Sequence, residues 1–292
     1  MDFPENTMLP FFAYGIFKPG EIAFLRLKPF VTAIQPEGHC KGELLIRDGL
    51  LLLNPEKDDH VPGSLLQFTP ELSGKAYYRI LEIEPDKHYE WSTIDVQIPA
   101  KQEAVKANVL IGVNMPDGCN LLDRPFTSKN DPLFKEAFAI IDDTLAKSSE
   151  RQDPDEPNPH FYNFLHLQMA YMLLWTSIER YVTLRYGLGE GVMSKIIQLR
   201  DDEYFCEMLK KHVNRRDQIF STIDASKSAK LNKDNAKNSI NFYYQVRCNI
   251  THRGKAAFED FDRLRDSLYE LGTVFKETLS NAFKKSEEVT MQ

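Results

Sequence analysis

The sequence predicts an α+β protein of two domains, and three observations carry that expectation. Short apolar runs punctuated by Gly, Pro and Asp fill residues 8–118, the pattern of strands and turns. From residue 159 onward, apolar residues recur at three- and four-residue steps over long stretches, the pattern of helices. Charge divides along the same line. Residues 1–158 hold 16 Lys and Arg against 26 Asp and Glu, a net of -10, while residues 159–292 hold 20 against 17, a net of +3. With 292 residues, 42% of them hydrophobic, each half has enough apolar surface for a core. The expected domains are 1–118, a connecting helix and linker at 119–158, and a helical domain at 159–292.

In the first half, "KGELLI", "LLLLN", "GSLLQF" and "ILEIE" read as short strands, and "STIDVQI" alternates well enough for a half-buried one. Residues 131–148 read as a helix: Asp131 suits the N-cap, Pro132 the first helical position, and Phe134, Phe138, Ile141 and Leu145 share a face. "KSSERQDPDEPNPH" is polar with three prolines, which reads as a linker. Then come four helices. The first carries Phe164, Leu167, Tyr171, Leu174, Ile178 and Val182 and stops at "YGLGEG". The second runs through "GVMSKIIQLRDDEYFCEMLKKHV", and a polar loop is expected over 221–238. The third ends in "YYQVRCNITHRGK", and the fourth carries Phe258, Phe261, Leu264, Leu268, Leu271, Phe275 and Leu279. Four apolar-striped helices make a bundle.

Composition excludes several classes. A net charge of +3 on the helical half is not a broad nucleic-acid platform, so any such contact must be local. The four cysteines include no C-x-x-C pair, which argues against a disulfide framework or a cysteine zinc site, and no metal or cofactor motif is present. No basic segment precedes an apolar one at the N-terminus, and no apolar run reaches the roughly 18 residues a membrane span needs. The expectation is a cytosolic protein away from membranes.

Arg247 and His252 lie five positions apart at the end of the third helix, with Asn249 between them and Gly254 just beyond. Cations near a helix C-terminus are often no more than partners for its dipole. Yet an Arg fork suits a phosphate, and a His titrates near neutral pH. Cleaving a phosphodiester through its own 2′-hydroxyl needs proton transfer and charge stabilisation at phosphorus, and these two residue types supply both without a metal.

With "R-C-N-I-T-H" in that setting, residues 159–286 resemble the HEPN domain, in its Apea-like subgroup. "NFYYQVRCNITHRG" and the first-helix "LLWTSIERYVTLRYG" carry the likeness. Cys248 stands directly after Arg247, where a polar residue is usual, and Asn249 follows one later. The resemblance implies a metal-independent endoribonuclease whose Arg247 and His252 face a second copy's motif in a homodimer, with Glu179 as an acidic partner. A surface acid paired with Arg180 or Arg185 is the other reading of Glu179.

"FFAYGIFKPGE" begins the second resemblance. Residues 11–98 are similar to the γ-glutamylcyclotransferase-like fold, a small β-barrel, through Tyr14-Gly15-Ile16-Phe17-Lys18-Pro19-Gly20, "HCKGELLIRDGLLLLN", "PGSLLQF" and "AYYRILEIEPDKHYEW". The likeness implies that backbone N–H groups at Tyr14-Gly15 hold a carboxylate. It places Glu84, followed by Tyr89, as the proton carrier. Ile16 and Phe17 replace a smaller pair and are expected to narrow the entry. Leu81 stands where an acid is usual, which leaves Glu82 as a competing candidate. Three readings follow: an RNA-cleaving enzyme with a barrel that senses a small molecule, a cyclotransferase with a helical dimerisation domain, or a non-catalytic RNA-binding scaffold. The first is preferred, and by association the pairing suggests a stress or phage-defence role.

Overall fold

The computed structural model describes residues 1–47, 49–84, 87–100, 103–113, 119–122, 126–149, 159–187, 191–253 and 260–288; the side chains of 130, 149, 159–161, 192, 193, 252 and 253 lie outside this description. The chain is mixed α+β and divides into two compact units. The first comprises Met1–Ser128 with Leu184–Leu188 and Phe283–Gln292, and the second Lys129–Thr183 with Gly189–Ala282.

The first unit is built on a closed five-stranded barrel of β1 (Phe11–Ala13), β2 (Val31–Lys41), β5 (His60–Phe68), β6 (Tyr89–Ile98) and β7 (Glu103–Gly112), ordered β1-β5-β2-β6-β7. Its neighbours are antiparallel except the closing pair, where β1 meets β7 in parallel at Phe11 and Asn108. Closure leaves no bare edge on the barrel. Phe12, Cys40, Leu53, Leu65, Val96 and Val109 belong to one buried cluster. The Phe12 ring is admitted by a glycine pair, Gly38 opposite Gly63. A Cβ on Gly63 would stand 2.6 Å from Phe12, and one on Gly38 would stand 2.9 Å from Val96. The strands β3 (Glu43–Arg47), β4 (Leu50–Asn54) and β8 (Asn120–Leu121) form a small second sheet. Two short helices, α1 (Phe24–Leu27) and α2 (Ser73–Leu81), complete the unit.

"ILEIE" is not a strand. Ile80 and Leu81 end α2, and the residues that follow are a turn. Apolar residues at 76, 77, 80 and 83 repeat at helical spacing and are all buried, so a helix face prevails over a five-residue alternation.

In the second unit, α3 (Pro132–Ser149), expected between the domains, packs with the bundle: Phe134, Phe138 and Ile141 are buried, and the Phe138 ring meets Phe275. α4 (Pro159–Tyr186) buries all six of its expected stripe residues. The single helix expected over 191–213 is instead α5 (Val192–Ile196), a 3-10 turn and α6 (Glu203–His212). Asp202 breaks the run: its carboxylate accepts Phe205 N–H as an N-cap and the buried Tyr181 hydroxyl, both at 3.0 Å. The stretch expected to be loop holds β10 (Ser228–Lys230), which pairs with β9 (Gln218–Phe220) just before it, and the start of α7 (Ala236–Arg253). α8 (Phe261–Glu287) buries Leu264, Leu268, Leu271, Phe275 and Leu279, whereas Phe258 lies outside the described residues. Among the described residues no helix is long and apolar enough to cross a membrane.

Candidate functional site

Two groups of residues collect the chemistry, one in each unit. In the helical unit, α7 carries Arg247 and α4 carries Glu179, with Arg247 Nη2 4.0 Å from Glu179 Oε1. The guanidinium lies 5.4 Å over the Tyr244 ring, and that ring packs edge-on, also at 5.4 Å, against the buried Trp175. Tyr244 is one turn before Arg247, and Trp175 one turn before Glu179, so both supports follow from helical spacing. Sequence reasoning missed them, although an aromatic three or four residues before a motif residue is a readable signal. The Arg247 side chain is 22% exposed, and its Nε is buried without a partner. Donor capacity therefore remains for an anion.

Cys248 is a half-buried thiol. Burial raises its pKa, although the Arg247 charge and hydrogen bonds to Arg247 and Tyr244 pull the other way, so it stays protonated at neutral pH. Asn249 is spoken for. Its Oδ1 accepts from Gln245 Nε2 at 2.8 Å and from Thr222 N at 3.2 Å, and its Nδ2 donates to Phe220 O at 2.9 Å. That side chain pins the β9–β10 hairpin to α7. His252 lies in the last turn of α7, and its side chain is outside the described residues. Beside the motif, Gln168, Thr222, Val246, Asn249, Ile250 and Arg263 line part of an open cleft. Among the described residues no group of three or more His, Cys, Asp and Glu is placed to hold a metal ion.

In the barrel unit Tyr14, from the end of β1, and Tyr89, which opens β6, are brought together with Glu84, just beyond α2. Tyr14 donates to Leu110 O and Tyr89 to Leu51 O, both at 2.9 Å. Burial first, and then the Glu84 charge, holds each hydroxyl well above the usual phenol pKa, and Glu84 is in hydrogen-bonding reach of Tyr89. A carboxylate near two neutral hydroxyls can carry a proton. Glu82 goes elsewhere, into ion pairs with Arg26 and Arg79. Gly15 stands near Leu51, where a Cβ would be 3.1 Å from the Leu51 side chain, and Ile16 is half-buried beside it. Phe17 does not narrow this pocket. It is buried edge-on against Phe11, on the opposite face of β1 from Phe12 and in the aromatic group of Phe68, Tyr77 and Trp91.

No protein-family model matches the chain. No curated protein matches it either. Among solved structures, the solution structure of a protein from Arabidopsis thaliana is similar at a TM-score of 0.31 and 13% identity, over 54% of this chain and 99% of that one. A likeness at that level carries neither fold nor function.

Proposed function

We propose that the chain is a HEPN-type endoribonuclease that cleaves RNA through the 2′-hydroxyl without a metal, governed by a γ-glutamylcyclotransferase-like barrel that binds a small molecule. The observation that carries this reading is Arg247: a half-buried guanidinium whose Nε has no partner among the described residues, beside Glu179 and five residues ahead of His252. In the proposed step, His252 takes the 2′-hydroxyl proton, the 2′-oxygen bonds to phosphorus, and the P–O5′ bond breaks. The departing 5′-oxygen takes up a proton. Arg247 stabilises the charge that builds on the phosphoryl oxygens, and Glu179 orients Arg247.

Pairing with a second copy belongs to this reading. Tyr162, Leu165 and Met169 are 64%, 40% and 68% exposed, and they lie on the helical row that continues through Thr176 to Glu179. An exposed apolar row leading to the motif suits a two-fold contact that places two motifs together.

The test is labelled RNA incubated with the full chain in EDTA. Cleavage leaving 2′,3′-cyclic phosphate and 5′-hydroxyl ends is expected, with Arg247→Ala and His252→Ala each slower by about 10²–10⁴-fold. Wild-type rates in both variants overturn the assignment. The second reading, a cyclotransferase, is favoured by Glu84 lying near both Tyr14 and Tyr89. Release of 5-oxoproline that Glu84→Gln abolishes and His252→Ala leaves intact would put that reading first.

A further inference from the structure

Arg26, on α1, is a charge buried without enough partners. Its side chain is 4% exposed. A guanidinium presents five N–H donors, yet among the described residues the one bond it makes is from Nη2 to Glu82. Its Nε is buried with no acceptor. Gly187, at φ +101 beyond the end of α4, gives the group room: a Cβ there would stand 3.0 Å from Nη1 and 3.3 Å from Nη2. Buried donors left open are rare, because each forfeits its hydration without replacement.

The charges around it do not balance either. The Glu82 oxygen that pairs with Arg26 also takes Arg79 Nη1 at 2.8 Å. Arg185 adds a third guanidinium near enough for its charge to be felt at Arg26. Burial foremost, with Arg79 and Arg185 adding to it and Glu82 opposing, lowers the Arg26 pKa to about 10. Arg26 and Arg79 share that one carboxylate, and with Arg185 near by, positive charge is in surplus among the described residues. A purely structural ion pair needs one arginine.

We propose that Arg26, Arg79 and Arg185 form a binding site for a terminal phosphate group, carried by a small metabolite or by the end of an RNA chain. A phosphomonoester brings nearly two negative charges and three acceptor oxygens, which match the surplus charge and the open fork of donors. The site is independent of RNA cleavage at α7. Glu82 stands two residues before Glu84, so a phosphate that draws Arg26 and Arg79 towards itself acts on the stretch that holds the barrel carboxylate.

Titration calorimetry of the full chain with inorganic phosphate, at ionic strength fixed with sodium chloride, tests this. Saturable binding is expected in the wild type, weakened about ten- to a hundredfold in Arg79→Gln and in Arg185→Gln. Both substitutions keep the buried Arg26, and circular dichroism verifies their fold. If Arg79→Gln unfolds, Arg185→Gln alone decides. Two competitors separate the sources. Displacement by a mononucleotide alone supports a small phosphorylated ligand, and displacement also by a 5′-phosphorylated oligoribonucleotide supports an RNA end. Phosphate heat no greater than that of chloride, or equal affinity in wild type and Arg185→Gln, overturns the proposal.

Discussion

Asn249 spends its side-chain amide on holding Thr222, Gln245 and Phe220, which leaves the proton chemistry of the motif to its neighbours. Replacing it with Ala strands the Phe220 carbonyl and the Thr222 N–H at once. The expected cost is about 2 kcal/mol in urea unfolding, with faster amide exchange across β9–β10, because each such bond is worth roughly 0.5–1.5 kcal/mol. Cys248→Ser, at the adjacent position, should change stability far less, since its thiol packs at the surface of the helix. Arg247 and Glu179 were readable as a motif and its partner. The structural duty of Asn249 was not, because its hairpin partners lie 27 and 29 residues away in sequence. Phe17 misled for a related reason. It lies beyond the end of β1, and its odd offset from Tyr14 puts it beside Phe11 on the opposite face.

At the level of elements, α2 shows how one buried hydroxyl couples a helix to pH. Tyr77 donates to Leu9 O at 3.0 Å and accepts from Asn108 Nδ2 at 2.7 Å. Burial raises its pKa to about 12, even though the Asn108 bond pulls it down. The unfolded phenol ionises near 10, so the stability owed to a protonated Tyr77 is complete below pH 10 and is lost as pH climbs from 10 to about 12. That loss is about 2–3 kcal/mol. Tyr77→Phe should therefore cost about 1 kcal/mol at pH 8 and show a shallower decline in unfolding free energy between pH 10 and 12. Parallel declines would refute it. Long elements were the legible ones: α4 and α8 announce themselves through sustained apolar stripes. The break before α6 was hidden because Asp202 caps a new helix where one helix was expected to continue, and β2 was hidden by its polar, bulged sequence around Pro36 and Gly38.

For the whole molecule, the exposed row on α4 makes oligomeric state the decisive property. Met169→Glu placed with Leu165→Glu puts two charges into that row on each copy. Light scattering at micromolar concentration should give a dimer for the wild type and a monomer for the double variant, with RNA cleavage falling in step. A monomeric wild type with full cleavage would remove the shared site. Composition and charge divide the chain near residue 158, whereas the compact units gather segments distant in sequence, Leu184–Leu188 and Phe283–Gln292, with Met1–Ser128.

The fastening of the chain's far end has a consequence for how the protein is made. Gly20 N–H donates to Ser286 O at 3.0 Å, and Lys28 Nζ to Lys285 O at 2.8 Å. The Lys285 carbonyl lies 257 residues after its partner, so it leaves the ribosome long after it. The usual order of synthesis, in which one module finishes before the next begins, therefore does not hold for the first unit, which gathers a segment translated after α3 to α7. A nascent chain that has not reached residue 285 lacks the bonds that hold Gly20 and Lys28, and helices α3 to α7 are translated before those bonds can form.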